Sequence, residues 1–341
     1  AVSLAVAVAA ALFVGVVAYA VLGGADFGSG FYDLTAGGAR SGAALRTLVD
    51  HSIGPVWEAN HVWLIYVLVT WWTGFPETFA AAMRTLVLPL LLALLGIVLR
   101  GAAFAFRKYA GTLGQARLFG VVFAGSSLIT PFFLGTVAGA VASGRVPLEE
   151  RGDLWGSWLN PTSLVGGVLA VGTCAFLAGV FLTADARRTG HDELAAALRR
   201  RTLAVGVLTG VVVFAGLLPL ERDAPVLWDG LTGRALPLVV VAAVTGVATL
   251  ALVHAGRFGI ARVTAVLAVA TVISGWGLAQ YPWMLVGEVT IAEAAGAEAT
   301  LQGLLVVVVL AGVIVLPALA YLFVLTQSEP WSSDHRASGS G

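Results

Sequence analysis

The sequence predicts an all-α polytopic membrane protein with nine transmembrane helices, arranged as two four-helix bundles plus one extra helix. Three observations predict it. Apolar runs of about 20 residues, enough to cross a bilayer as a helix, recur along the whole 341-residue chain. Only 11% of residues are charged and 59% are hydrophobic, against about 25% charged in a soluble domain, and mean hydropathy is +0.93. The apolar residues are continuous rather than alternating, which excludes an outer-membrane barrel. Formal net charge is zero, so the basic excess of a nucleic-acid-binding protein is missing. The single Cys174 lies in an apolar run, leaving no disulfide framework or thiolate metal site.

The runs place spans at roughly 3–24, 54–72, 77–99, 118–142, 161–183, 202–220, 235–254, 260–281 and 301–326. Residues 1–331 are read as one transmembrane domain. The polar, Ser- and Gly-rich 332–341 is read as a disordered tail. No basic residue precedes Leu4, so the first run lacks the charged start of a signal peptide and is expected to be a retained helix. The absent initiator Met suggests trimming. Charge sets the orientation. Connections after spans one, three, five and seven hold Arg40 and Arg46; Arg107, Lys108 and Arg117; Arg187, Arg188 and Arg199–Arg201; and Arg257 and Arg262. The alternate connections hold Arg145, Arg151, Arg222 and Arg234 mixed with acids, and 282–300 has Glu288, Glu293 and Glu298 with no base. The positive-inside rule puts the N-terminus outside, the C-terminus in the cytoplasm and residues 31–53 in a cytoplasmic loop.

Span one ends in Gly23-Gly24-Ala25-Asp26-Phe27-Gly28-Ser29-Gly30. The glycines permit close helix approach or an opened backbone near Asp26. They form no phosphate loop, because no Lys-Ser/Thr follows. Span two opens with Gly54-Pro55-Val56-Trp57-Glu58-Ala59-Asn60-His61-Val62-Trp63. Pro55 costs nothing in a first turn. Glu58 falls about 5–8 Å above the inner boundary, with His61 on the same face at i+3 and Asn60 on the opposite side. Asp26, Glu58 and Arg100 lie at similar depth on three consecutive helices, where opposite charges are expected to pair. Arg84, about two turns into span three, is expected to snorkel or to meet lipid phosphate or a partner subunit. Pro89 and Pro131 are expected to kink their spans. Trp276 to Trp283 is an aromatic belt at the outer interface.

Gly24-Ala25-Asp26-Phe27-Gly28-Ser29-Gly30, Ile53-Gly54-Pro55-Val56-Trp57-Glu58-Ala59-Asn60-His61-Val62-Trp63 and Leu99-Arg100 together resemble subunit II of the cytochrome bd-type quinol oxidases. Span count and orientation agree over the whole chain. Glu58-Ala59 stands where that family usually has Asp-Gly, and His61 where it has Glu or Gln. The resemblance implies the non-haem subunit of a respiratory quinol:oxygen oxidoreductase in the bacterial cytoplasmic membrane. Haem b and haem d-type groups are then expected in a partner, subunit I, with quinol and dioxygen handled by the complex and a small accessory subunit a further candidate. Glu58 matches the family's acidic proton relay, and Asp26, Arg100 and His61 would shape its polar pocket. Trp57, Asn60 and Trp63 are the candidates for a structural quinone or a subunit contact. No metal site is expected on this chain.

The residues leave alternatives open. Glu58 could be only a helix-start acid, and Asp26–Arg100 only a structural pair. His61 lacks the facing histidine of a membrane haem site and reads first as a satisfied core residue. An ion-coupled secondary transporter would also bury Asp, Glu and Arg near broken helices, but would place them at mid-membrane. A faint echo between Tyr19–Asp26 and Phe176–Asp185 hints at a four-plus-four repeat.

Overall fold

The computed structural model describes residues 3–38, 41–53, 57–107 and 109–327, without the side chains of 53, 57–59, 113, 323 and 325–327. The expected 332–341 tail lies outside the described residues. Helices dominate: α1 (Leu4–Leu34), α2 (Ala43–Ile53), α3 (Trp57–Gly74), α4 (Pro76–Thr85), α5 (Val87–Arg107), α6 (Leu113–Ala142), α7 (Pro161–Arg188), α8 (Asp192–Asp223), α9 (Pro225–Thr232), α10 (Leu236–His254), α11 (Phe258–Gln280) and α12 (Glu298–Gln327). Eight described helices are long and apolar enough to cross a membrane, and α3 lies where the remaining expected span falls.

α1, α3, α5 and α6 pack together, as do α7, α8, α10 and α11. α1 and α6 both join to α7, and α12 lies outside against α1 and α3. Two groups of four plus one extra helix is therefore the observed arrangement. Close approach at the join needs glycine: a Cβ on Gly28 would lie 1.8 Å from the Cys174 carbonyl oxygen of α7. One on Gly30 would lie 2.2 Å from Ser127 Cβ of α6. The glycine run thus serves helix approach, not an opened backbone, and α1 stays helical through Asp26 to Leu34. Ten residues beyond the expected end of span one are helix because α6 and α7 bury them, Tyr32 being 0% exposed.

Two further expectations are corrected. Residues 31–53 are not simply a loop, since α2 forms within them. The expected span 77–99 divides into α4 and α5 at Leu86. Pro89 has no N–H for the Thr85 carbonyl and its ring crowds it, so the ladder restarts with the Leu90 N–H donating to Leu86 O at 3.1 Å. α6, in contrast, runs unbroken through Pro131. Arg84 is exposed, and its Nη2 donates to the Leu148 carbonyl at 2.8 Å.

That bond lies at one end of the bundle, the hairpin end. There β1 (Trp283–Leu285) pairs antiparallel with β2 (Val289–Thr290), and Gly287 turns the chain at φ +79°. The Thr290 N–H and hydroxyl donate to Glu293 Oε2 at 2.9 and 2.7 Å. These bonds hold the Glu293 carboxyl below its ordinary range. The Leu148 N–H donates to Glu288 at 3.2 Å, tying hairpin to the 143–160 connection. Asp223 is held by Arg145, and accepts the Thr162 N–H at 3.0 Å where α7 begins. The opposite end collects the C-termini of α1, α5, α7 and α10 and most of the arginines.

Candidate functional site

Asp26 and Arg100 meet deep in the arginine-rich half. Arg100 Nη2 donates to Asp26 Oδ1 at 2.6 Å and Nη1 to Oδ2 at 3.3 Å, with both side chains 2% exposed. Arg100 Nη2 also reaches the Asp26 carbonyl at 3.2 Å, and Nε reaches Ser127 Oγ on α6 at 3.0 Å. The guanidinium lies 4.9 Å from the Phe27 ring centroid and 5.0 Å from that of Phe123. Charge, hydrogen bonds and both π faces are thus satisfied, which is what makes such a pair tolerable at this burial. Of the expected cluster Asp26, Glu58 and Arg100, Asp26 and Arg100 are thus paired, and the Glu58 side chain lies outside the described residues.

A second pair repeats the first one step outward. Asp33 is seven residues after Asp26 and Arg107 seven after Arg100, two turns or about 10 Å along each helix. Asp33, 3% exposed, accepts from Arg107 Nη1 at 2.6 Å and from Arg46 Nε of α2 at 3.0 Å. Asp50 of α2 lies 3.9 Å from Arg107. Arg46 also donates to the Gly37 and Gly38 carbonyls at 2.7 and 3.2 Å, closing the turn between α1 and α2. Sequence reasoning missed this pair: Arg46 and Arg107 read there only as loop charges, and the seven-residue spacing from Asp26 and Arg100 was the one signal that could have found it. A third cluster sits on α7. Asp185 pairs with Arg262 of α11, with Arg188 at 3.4 Å, and accepts from Ser52 Oγ of α2 at 3.1 Å. The echo of Asp26 around Asp185 was its only sequence signal. Together Asp33 and Asp185 tether both ends of α2, the helix that leads into α3.

On α3 the side chains of Trp57 and Glu58 lie outside the described residues. Helical register puts position 58 in line with Val62, Ile65, Val69 and Trp72, all of which are exposed on this chain. Asn60 faces the other way and is 4% exposed. His61 is half-buried between those faces, its ring 6.0 Å from Phe27 and 6.4 Å from Tyr19. Phe27 in turn covers Arg100. So His61 stands between the outer stripe of α3 and the Asp26–Arg100 pair. Trp63 packs edge-on to Tyr66 at 6.2 Å. Among the described residues no group of three His, Cys, Asp or Glu is placed to hold a metal ion.

The family model of the cytochrome bd terminal oxidase subunit II matches residues 4–326. The chain belongs to that family. A cytochrome bd ubiquinol oxidase subunit 2 of Bacillus subtilis is 29% identical over 217 residues, 63% of this chain and 62% of that protein. A cytochrome bd-I ubiquinol oxidase subunit 2 of Escherichia coli K12 is 30% identical over 215 residues, 60% of this chain and 54% of that protein. The matches thus span just over half the length of these relatives. A bd oxidase structure from Geobacillus thermodenitrificans superposes with a TM-score of 0.81 at 25% identity, covering 95% of this chain and 98% of that one. This subunit II is therefore a multi-pass membrane protein, and family membership removes the secondary-transporter reading.

Proposed function

We propose that this subunit II supports a haem-bearing subunit I in a quinol oxidase of the bacterial cytoplasmic membrane, and supplies part of its proton route. Quinol gives electrons that reduce dioxygen to water, and each electron must be matched by a proton. The haem b and haem d-type groups belong to subunit I in this reading; they supply the redox chemistry. The observation that carries it is the Asp26–Arg100 pair, 2% exposed and set behind His61 on the helix that carries Glu58. A neutral, fully hydrogen-bonded pair adds no net charge behind the relay, so a carboxylate on α3 is left to gain and lose its proton without a competing buried charge.

The N-terminus lies outside, by loop charge, so the arginine-rich end faces the cytoplasm and takes protons from inside. Glu58 relays them, with His61 next inward. The exposed stripe Val62, Ile65, Val69 and Trp72 is the face of α3 that subunit I covers, which puts position 58 at the boundary of the two chains. Trp57, Asn60 and Trp63 would then lie beside a structural quinone or the same subunit contact. A small accessory subunit completes the assembly if it co-purifies. Glu58→Gln in the complex should slow oxygen consumption severalfold while the haem spectrum stays intact. Unchanged turnover would remove Glu58 from the mechanism, and reduced-haem bands from the isolated chain would overturn the assignment of the haems.

A further inference from the structure

On the surface between α8 and α10 runs an open apolar groove of about 590 Å³, lined by Gly206, Val207, Gly210, Phe214, Leu218 and, from α10, Leu250 among others. Its floor is made by missing side chains. A Cβ on Gly206 would come within 2.6 Å of Leu250, while Gly210 has nothing within 4 Å. From Gly206 to Leu218 the groove is about 18 Å long, close to the ~15 Å depth of one leaflet's hydrocarbon.

The end of the groove is basic. Arg199 stands seven and eleven residues before Gly206 and Gly210, and Arg200 the same distances before Val207 and Val211. Both therefore fall on the two helical stripes that form the groove. Arg199 crosses to α10 and donates to the His254 carbonyl, three residues before Arg257 in the α10–α11 turn. Most other arginines at this end meet a carboxylate: Arg46 and Arg107 share Asp33, Arg187 pairs with Asp192, and Arg188 and Arg262 share Asp185, while Arg201 donates to the Thr35 carbonyl, away from the groove. Among the described residues Arg199, Arg200 and Arg257 have no carboxylate within salt-bridge distance. A one-leaflet apolar slot that ends in uncompensated guanidinium groups has the shape and charge of a phospholipid with a net negative headgroup.

We propose that the α8–α10 groove binds one anionic glycerophospholipid, an acyl chain lying on Gly206 and Gly210 and the phosphate held by Arg199 and Arg200, with Arg257 beside them. The site is independent of the proton route. The test is native mass spectrometry of the purified complex titrated with phosphatidylglycerol or phosphatidylcholine of matched chains. The wild type should retain phosphatidylglycerol preferentially, and each arginine should contribute about fivefold. Arg200→Gln, which leaves the Arg199–His254 clamp in place, should lower the preference about fivefold. Adding Arg199→Gln should lower it about fivefold again, leaving only the share of Arg257. Gly210→Leu should cut retention of both lipids by filling the slot. Equal retention by the wild type, a preference unchanged in the double variant, undiminished binding to Gly210→Leu, or a second copy of the chain seated there instead would each overturn the proposal.

Discussion

Replacing Asp26 by Asn removes one charge and almost no volume, yet it strands Arg100 at 1% exposure. The guanidinium keeps Ser127 Oγ at 3.0 Å, the Asp26 backbone carbonyl at 3.2 Å and both phenyl rings. It loses the carboxylate that took its 2.6 and 3.3 Å bonds. Breaking a buried pair from one side costs about 3–5 kcal/mol. The retained acceptors put Asp26→Asn at the low end, about 3 kcal/mol. Arg100→Met strands the carboxylate instead and should cost about as much. With both changes no charge is left in the site, so the double variant should fall short of the sum by about 2–3 kcal/mol. Denaturation of the detergent-solubilised complex, followed by tryptophan fluorescence for all four proteins, measures this coupling. Additivity within about 0.5 kcal/mol would refute the reasoning, because the two groups would then not be sharing one interaction.

Asp33→Asn should loosen α2, since Arg46 and Arg107 both depend on that carboxylate; hydrogen exchange over 41–53 should speed up while α6 stays protected. Gly28→Ala should destabilise by about 1–3 kcal/mol through overpacking at the Cys174 carbonyl. In contrast Gly246→Ala, with nothing within 4 Å, should be neutral or stabilising by about 0.5–1 kcal/mol, and the thermal midpoints of the two variants should separate accordingly. Bonds from Thr290 lower the Glu293 carboxyl, so its contribution is present above its ordinary value near 4.5 and is lost as pH falls through the lowered folded value. Exchange of the Thr290 amide, corrected for intrinsic rate, should therefore be protected at pH 7 and released in strong acid; equal protection in both would contradict the assignment.

How far the site could be read beforehand differs residue by residue. Asp26 and Arg100 were legible because an ionisable residue inside an apolar run has few ways to be tolerated, and two of opposite sign at one depth supply each other's. Asp33 and Asp185 were not, because a charge near a helix end is tolerated by water as readily as by a partner. Only the packing of α2 against both clusters shows which of the two applies. The bond from Arg84 to the Leu148 carbonyl, 64 residues further along the chain, was likewise invisible in the sequence.

The amino-acid sequence alone determined the membrane class, the approximate place of each apolar run and the family, because burying an uncharged run of about 20 residues in lipid is a local property of the run. The tertiary structure decided where α1 ends, where the third span breaks, which acid meets which arginine, and which glycines are covered and which lie open. Those outcomes depend on what stands within 4 Å across the bundle, and neighbours that come from distant segments leave no periodicity in the sequence for a reader to find.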